Sequence, residues 1–308
     1  MKTLNLNSIK FPALIFLYTL LFLFYPGDSW LFHTFAYNRE LFDKPLEYIP
    51  VRPVHVAYPK YSSYVPFLTA EGVYIVDLDT FSPVFERNAH EHLYPASTTK
   101  ILTALVAMDV FKTDDIITVK RDFQDGQVMG LFQGERITVE TLLYGALVHS
   151  GNDAAYALAD AYGYDKFIDL MNKKASELKM SDSHFKNPAG LDEDGQLSSP
   201  FDLALAGREL LKNKLLKKIV STKEIILSDV DYKKFHTLSN VNKLLGEIQG
   251  IGGLKTGYTE NAGENLVSFY RKDGHQLLIV IMKSQDRFND TRTAVKWIDE
   301  NVSYFTLH

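Results

Sequence analysis

The sequence predicts an α+β fold, an antiparallel sheet built from both chain ends and covered by helices, with an all-helical lobe inserted between them. Three observations carry this. Strand-like runs lie early in the chain and again near its end, helical periodicities fill the middle, and a last helix closes the chain. The 308 residues are 46% hydrophobic and 23% charged, ordinary globular values that easily supply a core. A net charge of −5 without a basic stripe argues against nucleic-acid binding. The absence of cysteine excludes a disulfide framework, a thiol nucleophile and thiolate metal sites.

In chain order, Lys2 and Lys10 flank the start of an uncharged run from Phe11 to Tyr25. Basic residues before an apolar run hold the N-terminus inside. Residues 1–32 are therefore expected to form a signal anchor. A cleaved signal peptide is the alternative, but the run ends in Pro26-Gly27-Asp28-Ser29-Trp30, with no small-x-small cleavage site. The rest of the chain would then lie outside the cytoplasm. Residues 33–67 read as a stalk, because five of the eleven prolines fall between Pro45 and Pro66, and such density favours extended chain. The folded domain is expected over 68–308.

Within it, residues 72–77 and 84–86 have strand composition around a turn, a hairpin. Downstream of Pro95, Ile101, Leu102, Leu105, Val106 and Met108 recur at helical spacing. Residues 138–149, 153–162, 165–179 and 200–219 read as further helices, placing the lobe at about 101–222. Residues 223–237 read as a second hairpin. Residues 265–270 and 276–282 are strands joined through Lys272-Asp273-Gly274, a strong hairpin turn. Residues 290–301 form the closing helix, with Val295 and Ile298 on one face.

Three short motifs carry chemistry. Ser97-Thr98-Thr99-Lys100 is one of three Ser-x-x-Lys matches; the others begin at Ser176 and Ser183. Only Ser97 opens a strongly apolar helix directly after a Pro-Ala pair. At i and i+3 its hydroxyl and the Lys100 amine share one face. Free N–H groups and the positive dipole end at a helix start favour an oxyanion there. Burial and neighbouring positive charge can make a lysine neutral enough to act as base. Taken alone, the motif reads more readily with Ser97 as a plain N-cap. Ser150-Gly151-Asn152, the only Ser-x-Asn, sits between two helical runs. It reads either as turn chemistry or as a proton-relaying hydroxyl beside a substrate-holding amide. Lys255-Thr256-Gly257 is the only Lys-Thr-Gly. On an edge strand its glycine would admit a substrate backbone, with Lys255 and Thr256 facing a substrate carboxylate.

This ordered set is that of β-lactamases and penicillin-binding proteins. With the longer stretches Tyr94 to Lys100, His149 to Ala155, Asn187-Pro188-Ala189-Gly190-Leu191, Asn240 to Leu245 and Gly253 to Thr259, the chain resembles the D-alanyl-D-alanine carboxypeptidases, the low-molecular-mass penicillin-binding proteins, over about residues 68 to 300. The resemblance implies the penicillin-binding/β-lactamase-like transpeptidase fold. It also implies an enzyme that removes the terminal D-alanine from peptidoglycan stem peptides through an acyl-enzyme on Ser97. Lys100 would be the base, Ser150 the proton relay and Asn152 the substrate orienter. Lys255 and Thr256 would bind the terminal carboxylate, and the N–H groups of Ser97 and Tyr258 would form the oxyanion hole. Penicillins would acylate Ser97; no cofactor or metal is implied. The implied location is the bacterial cytoplasmic membrane, with the catalytic domain outside. Many relatives carry a β-rich second domain and a C-terminal anchor. Only about fifty residues follow Gly257 here, so the N-terminal segment is expected to anchor instead.

Rivals on the same fold are a β-lactamase, a D,D-endopeptidase or transpeptidase, and a non-catalytic sensor. A class A-like lactamase wants a Glu-x-x-Leu-Asn segment, which is absent. His90-Glu91-His92 lacks a third metal ligand at suggestive spacing. Asp77 and Asp79 read as turn formers.

Overall fold

The computed structural model describes residues 6–23, 54–61 and 64–307. The chain divides into two units, residues 1–52 and 53–308. The first contains helix α1, Leu6–Leu23, with Pro12 inside it. Among the described residues no helix is long and apolar enough to cross a membrane. At 18 residues α1 is about 27 Å long, and Asn7, Ser8, Lys10 and Pro12 occupy its first half. The expected transmembrane anchor is thus not met by this helix. Residues 24–32 lie outside the described residues.

The second unit begins earlier than Leu68. Strand β1, Val54–Pro59, pairs antiparallel with β11, Val302–Leu307, at the chain's end. The Trp297 indole donates to the Tyr64 carbonyl at 2.7 Å, and Asn301 Oδ1 accepts from the Tyr61 N–H at 3.0 Å. This corrects the expected stalk. Val54, Val56 and Ala57 find a partner strand that composition alone did not reveal, and the one proline inside it, Pro59, is its last residue, where a missing N–H disturbs the ladder least. Residues 33–53 lie outside the described residues.

The main sheet has five antiparallel strands in the order β3-β2-β10-β9-β8. They are β2 Gly72–Asp77, β3 Pro83–Arg87, β8 Ile251–Thr259, β9 Gly263–Lys272 and β10 His275–Ser284. Both chain ends therefore build it, as expected. Its period-2 alternation splits two cores. Val73, Ile75, Ile279 and Ile281 face Ala294, Val295, Trp297 and Ile298 of the closing helix α8, Arg287–Asn301. Tyr74, Val76, Leu278 and Val280 face the helical lobe. Asp77 ends β2 by accepting from the Thr80 N–H and hydroxyl, the turn role expected of it.

The lobe begins with a 3₁₀ turn, Ala96–Thr99, that runs into α2, Lys100–Val110. Then come α3 Val139–Leu147, α4 Asn152–Tyr162, α5 Tyr164–Glu177, α6 Pro200–Lys212 and α7 Lys214–Val220. The expected single helix over 200–219 is two. Asn213 leaves helical geometry, and its side chain accepts from the Leu215 and Leu216 N–H groups as a new N-cap. Two further strand pairs accompany the lobe, β4 Ile116–Thr118 with β5 Arg136–Thr138 between α2 and α3, and β6 Glu224–Ser228 with β7 Phe235–Ser239 after α7. The first was not anticipated, since three-residue strands leave too short a period to read.

Candidate active site

Ser97 lies in the 3₁₀ turn and Lys100 opens α2, so the i, i+3 geometry brings Lys100 Nζ to 2.7 Å from Ser97 Oγ. Lys100 is completely buried, whereas Ser97 is partly open. The amine also donates to Asn152 Oδ1 at 2.7 Å and to the Ala189 carbonyl at 2.8 Å. Burial lowers the Lys100 pKa from 10.5 to about 7, against an opposing pull from the Asp153 carboxylate. Near neutral pH the amine is thus poised between two states. Neutral, it keeps donors for Asn152 and Ala189 and turns its lone pair to the Ser97 hydroxyl proton.

A second lysine–serine pair faces the first. Lys255 Nζ donates to Ser150 Oγ at 2.7 Å and to the Thr256 carbonyl at 2.8 Å. Lys255 is 1% exposed, and burial, the Lys100 charge and the Arg287 charge hold its pKa well below 10.5. Ser150 adopts a left-handed backbone, φ +63°, and so does Ala96 at +47°. Strain at two residues flanking one cleft is a mark of a site that packing over-determines.

Gly257 explains its own identity. A Cβ there would stand 2.9 Å from Ala96 Cβ and 3.0 Å from the Ser97 nitrogen. The glycine is needed because edge strand β8 packs against the turn holding Ser97. Gly257 also lines the cleft where a substrate backbone was expected to approach. Gly190 is tighter still. At φ +84°, its Cβ would fall 1.7 Å from the Ala96 oxygen. Asn187 Oδ1 accepts from the Gly190 and Leu191 N–H groups at 2.8 and 3.0 Å, a turn that aims the Ala189 carbonyl at Lys100.

These elements enclose a cleft of about 310 Å³ whose walls include Ser97, Ser150, Asn152, Thr256, Gly257, Tyr258 and Arg287. No carboxylate is among the residues lining it, and among the described residues no group of three or more acidic or histidine side chains could hold a metal. His90 and His92 instead face Asp182, at 2.7 and 3.7 Å.

Residues 60–286 match the model of a family described as D-alanyl-D-alanine carboxypeptidase. The chain belongs to that family. The carboxypeptidase DacF of Bacillus subtilis is 33% identical over 248 residues, 78% of this chain and 64% of DacF. DacD of Escherichia coli is 34% identical over 79% of this chain and 66% of its own. The chain thus spans just under two thirds of the length of these two relatives. A D-alanyl-D-alanine carboxypeptidase of Streptomyces sp. K15 is 30% identical and is covered over 82% of its length. Among solved structures, the Streptomyces K15 DD-transpeptidase superposes with a TM-score of 0.71 at 28% identity, covering 76% of this chain and 98% of its own. A Mycobacterium tuberculosis D-alanyl-D-alanine carboxypeptidase gives 0.74 at 28% identity, covering 79% and 96%. The penicillin-binding fold expected from the sequence is therefore the fold observed.

In this family member the structure gathers all eight residues singled out in the sequence around one cleft, and two of them have protein partners there. Lys255 spends its amine on Ser150 and Thr256 and does not line the cleft. Asn152 accepts from Lys100 through its carbonyl and donates its amide to the Asp125 carbonyl at 2.8 Å, while still lining the cleft. Three contributors escaped sequence reading. Arg287 lines the cleft and donates to the Gly257 carbonyl at 2.8 Å. Asp153 is buried and accepts from the N–H groups of Met129, Gly130 and Leu131 at 2.8–2.9 Å, fixing the loop that carries Gly126 and Gln127 into the cleft wall. Ala189 contributes only a backbone oxygen. For Asp153 the signal was present, as the residue directly after Ser-Gly-Asn; for Arg287 no motif marks it.

Proposed function

We propose that the chain is a serine-type D-Ala-D-Ala carboxypeptidase acting on peptidoglycan stem peptides through an acyl-enzyme on Ser97. The observation that carries this is a buried Lys100, with a pKa brought down to about 7, lying 2.7 Å from a partly open serine hydroxyl. Lys100 takes the Ser97 proton as Oγ attacks the carbonyl between the two D-alanines. Ser150, held by Lys255, passes a proton to the departing D-alanine nitrogen. The oxyanion rests on the N–H groups of Ser97 and Tyr258. Thr256 and the Arg287 guanidinium, both on the cleft wall, take the terminal carboxylate. Water then releases the shortened peptide.

The same arrangement accepts β-lactams, whose acylated form leaves slowly. With no carboxylate lining the cleft to activate a deacylating water, rapid β-lactam turnover is disfavoured. Transfer to an amine instead of water is the second reading. It is favoured by the likeness to a structure named as a DD-transpeptidase.

A fluorescent penicillin tests the nucleophile. The wild type should be labelled and Ser97→Ala should not. Labelling that survives the substitution would remove Ser97 from its role. Release of D-alanine from a D-Ala-D-Ala-ended pentapeptide then separates hydrolysis from transfer.

We also infer that the N-terminal segment holds the chain on the cytoplasmic membrane with the catalytic unit outside. Support comes from the uncharged run Phe11 to Tyr25 behind Lys2 and Lys10. The full chain should stay in the membrane fraction through a high-salt wash. A soluble protein with a mature start near residue 30 would overturn this.

A further inference from the structure

A second cavity, of about 490 Å³, opens at the start of β8, and its lining includes Lys217, Ser221, Lys223, Gly252, Phe269 and Arg271. Its floor is apolar. A Cβ on Gly252 would meet the Phe269 ring at 1.8 Å, so the ring presses directly on bare backbone. The Lys217 amine lies 5.4 Å from the centre of that ring and donates to Gln276 Oε1 at 3.1 Å. Lys223 and Arg271 stand exposed at the rim, and among the described residues neither side chain has an ion pair. No carboxylate lines the cavity. Glu247, next to the lining residue Gly246, has both oxygens bound by Arg292, at 2.7 and 3.0 Å.

The whole chain carries a net charge of −5, so three unopposed cations around one hollow do not follow from a basic composition. A cationic rim over an aromatic and aliphatic floor suits one chemistry, a carboxylate on a short apolar side chain. Gly252 precedes Thr256, which lines the catalytic cleft, by four residues on the same strand, a separation of about 13 Å along it. A polymer with repeated peptide stems can reach both.

We infer that this cavity is an exosite for a peptide carboxylate, occupied by a second stem of the polymer whose first stem lies in the catalytic cleft. The inference rests on the substrate class proposed above. It is tested by co-sedimentation of the full chain, in detergent, with insoluble peptidoglycan, comparing the wild type with the double variant Lys223→Gln, Arg271→Gln. Both positions are exposed, so folding should be unaffected. Binding should weaken about tenfold in the variant and lose most of its salt dependence, while penicillin labelling of Ser97 stays unchanged. Peptidoglycan with amidated carboxylates should bind both proteins equally weakly. Equal binding of the two proteins to unmodified polymer overturns the exosite, as does competition by polyphosphate at lower concentration than by an alanine-ended peptide. Sedimentation needs no catalysis, so absent penicillin labelling would refute the proposed function while binding still decides the exosite.

Discussion

Lys100→Met is expected to abolish acylation of Ser97 while leaving the protein folded. The lysine is wholly buried, and methionine has nearly its volume without its amine. Removing a general base costs about 10²- to 10⁴-fold in rate. The Asn152 and Ala189 oxygens lose their partner, at about 1–3 kcal/mol each. That loss is opposed by relief from burying an ionisable group. Stopped-flow acylation by a chromogenic β-lactam measures the first effect and thermal unfolding the second. Acylation within tenfold of the wild type would remove Lys100 from the base role.

The wild type should show the matching pH dependence. A base with a pKa of about 7 must be neutral to act, so acylation should rise as pH climbs through 7 and level off above it. Stability follows the same sign. The folded-state pKa is depressed below 10.5, so the unfolded chain binds more protons between about pH 7 and 10.5. Lys100 therefore contributes stability that increases with pH across that window and is absent below it.

Gly190→Ala should damage both fold and activity. The new Cβ would sit 1.7 Å from the Ala96 oxygen and 2.3 Å from its carbon, at a φ of +84°. Both are backbone atoms, which cannot rotate away. Overpacking and left-handed strain together imply about 3 kcal/mol of destabilisation. Either the Ser97 turn or the Ala189 carbonyl must move, and each movement loosens the Ser97–Lys100 contact. Gly134→Ala separates the two causes. Gly134 has φ +86° with nothing within 4 Å of a Cβ, so it carries only the conformational cost, about 1 kcal/mol. If the two variants match in melting temperature and acylation rate, the close approach at Gly190 does not matter.

Much of the site was legible because its first contact is local. Ser97 and Lys100 meet through helical spacing alone, and the apolar run after them identified which of three Ser-x-x-Lys serines had a helix to hold its partner. The strands β9 and β10 were readable because a turn with Asp-Gly joins two apolar runs. The β1–β11 pair was not, since its partners are separated by almost the whole length of the unit and prolines dominate the composition around it. The helix break at Asn213 was not, because a single side-chain cap outweighed a continuous apolar period.

By itself, the sequence determined the fold class, the three motifs and the serine proposed as nucleophile. These depend on periodicity and on contacts within one turn of chain. Only the tertiary structure decided what the motif residues touch. Lys100 meets Asn152 and Ala189 across 52 and 89 residues, and its low pKa comes from the burial that this convergence creates. Gly257 is required by the Ser97 turn packed against it, and Arg287 reaches the cleft from a helix with no motif of its own. Desolvation and close packing arise only when distant segments meet, and no local pattern encodes them.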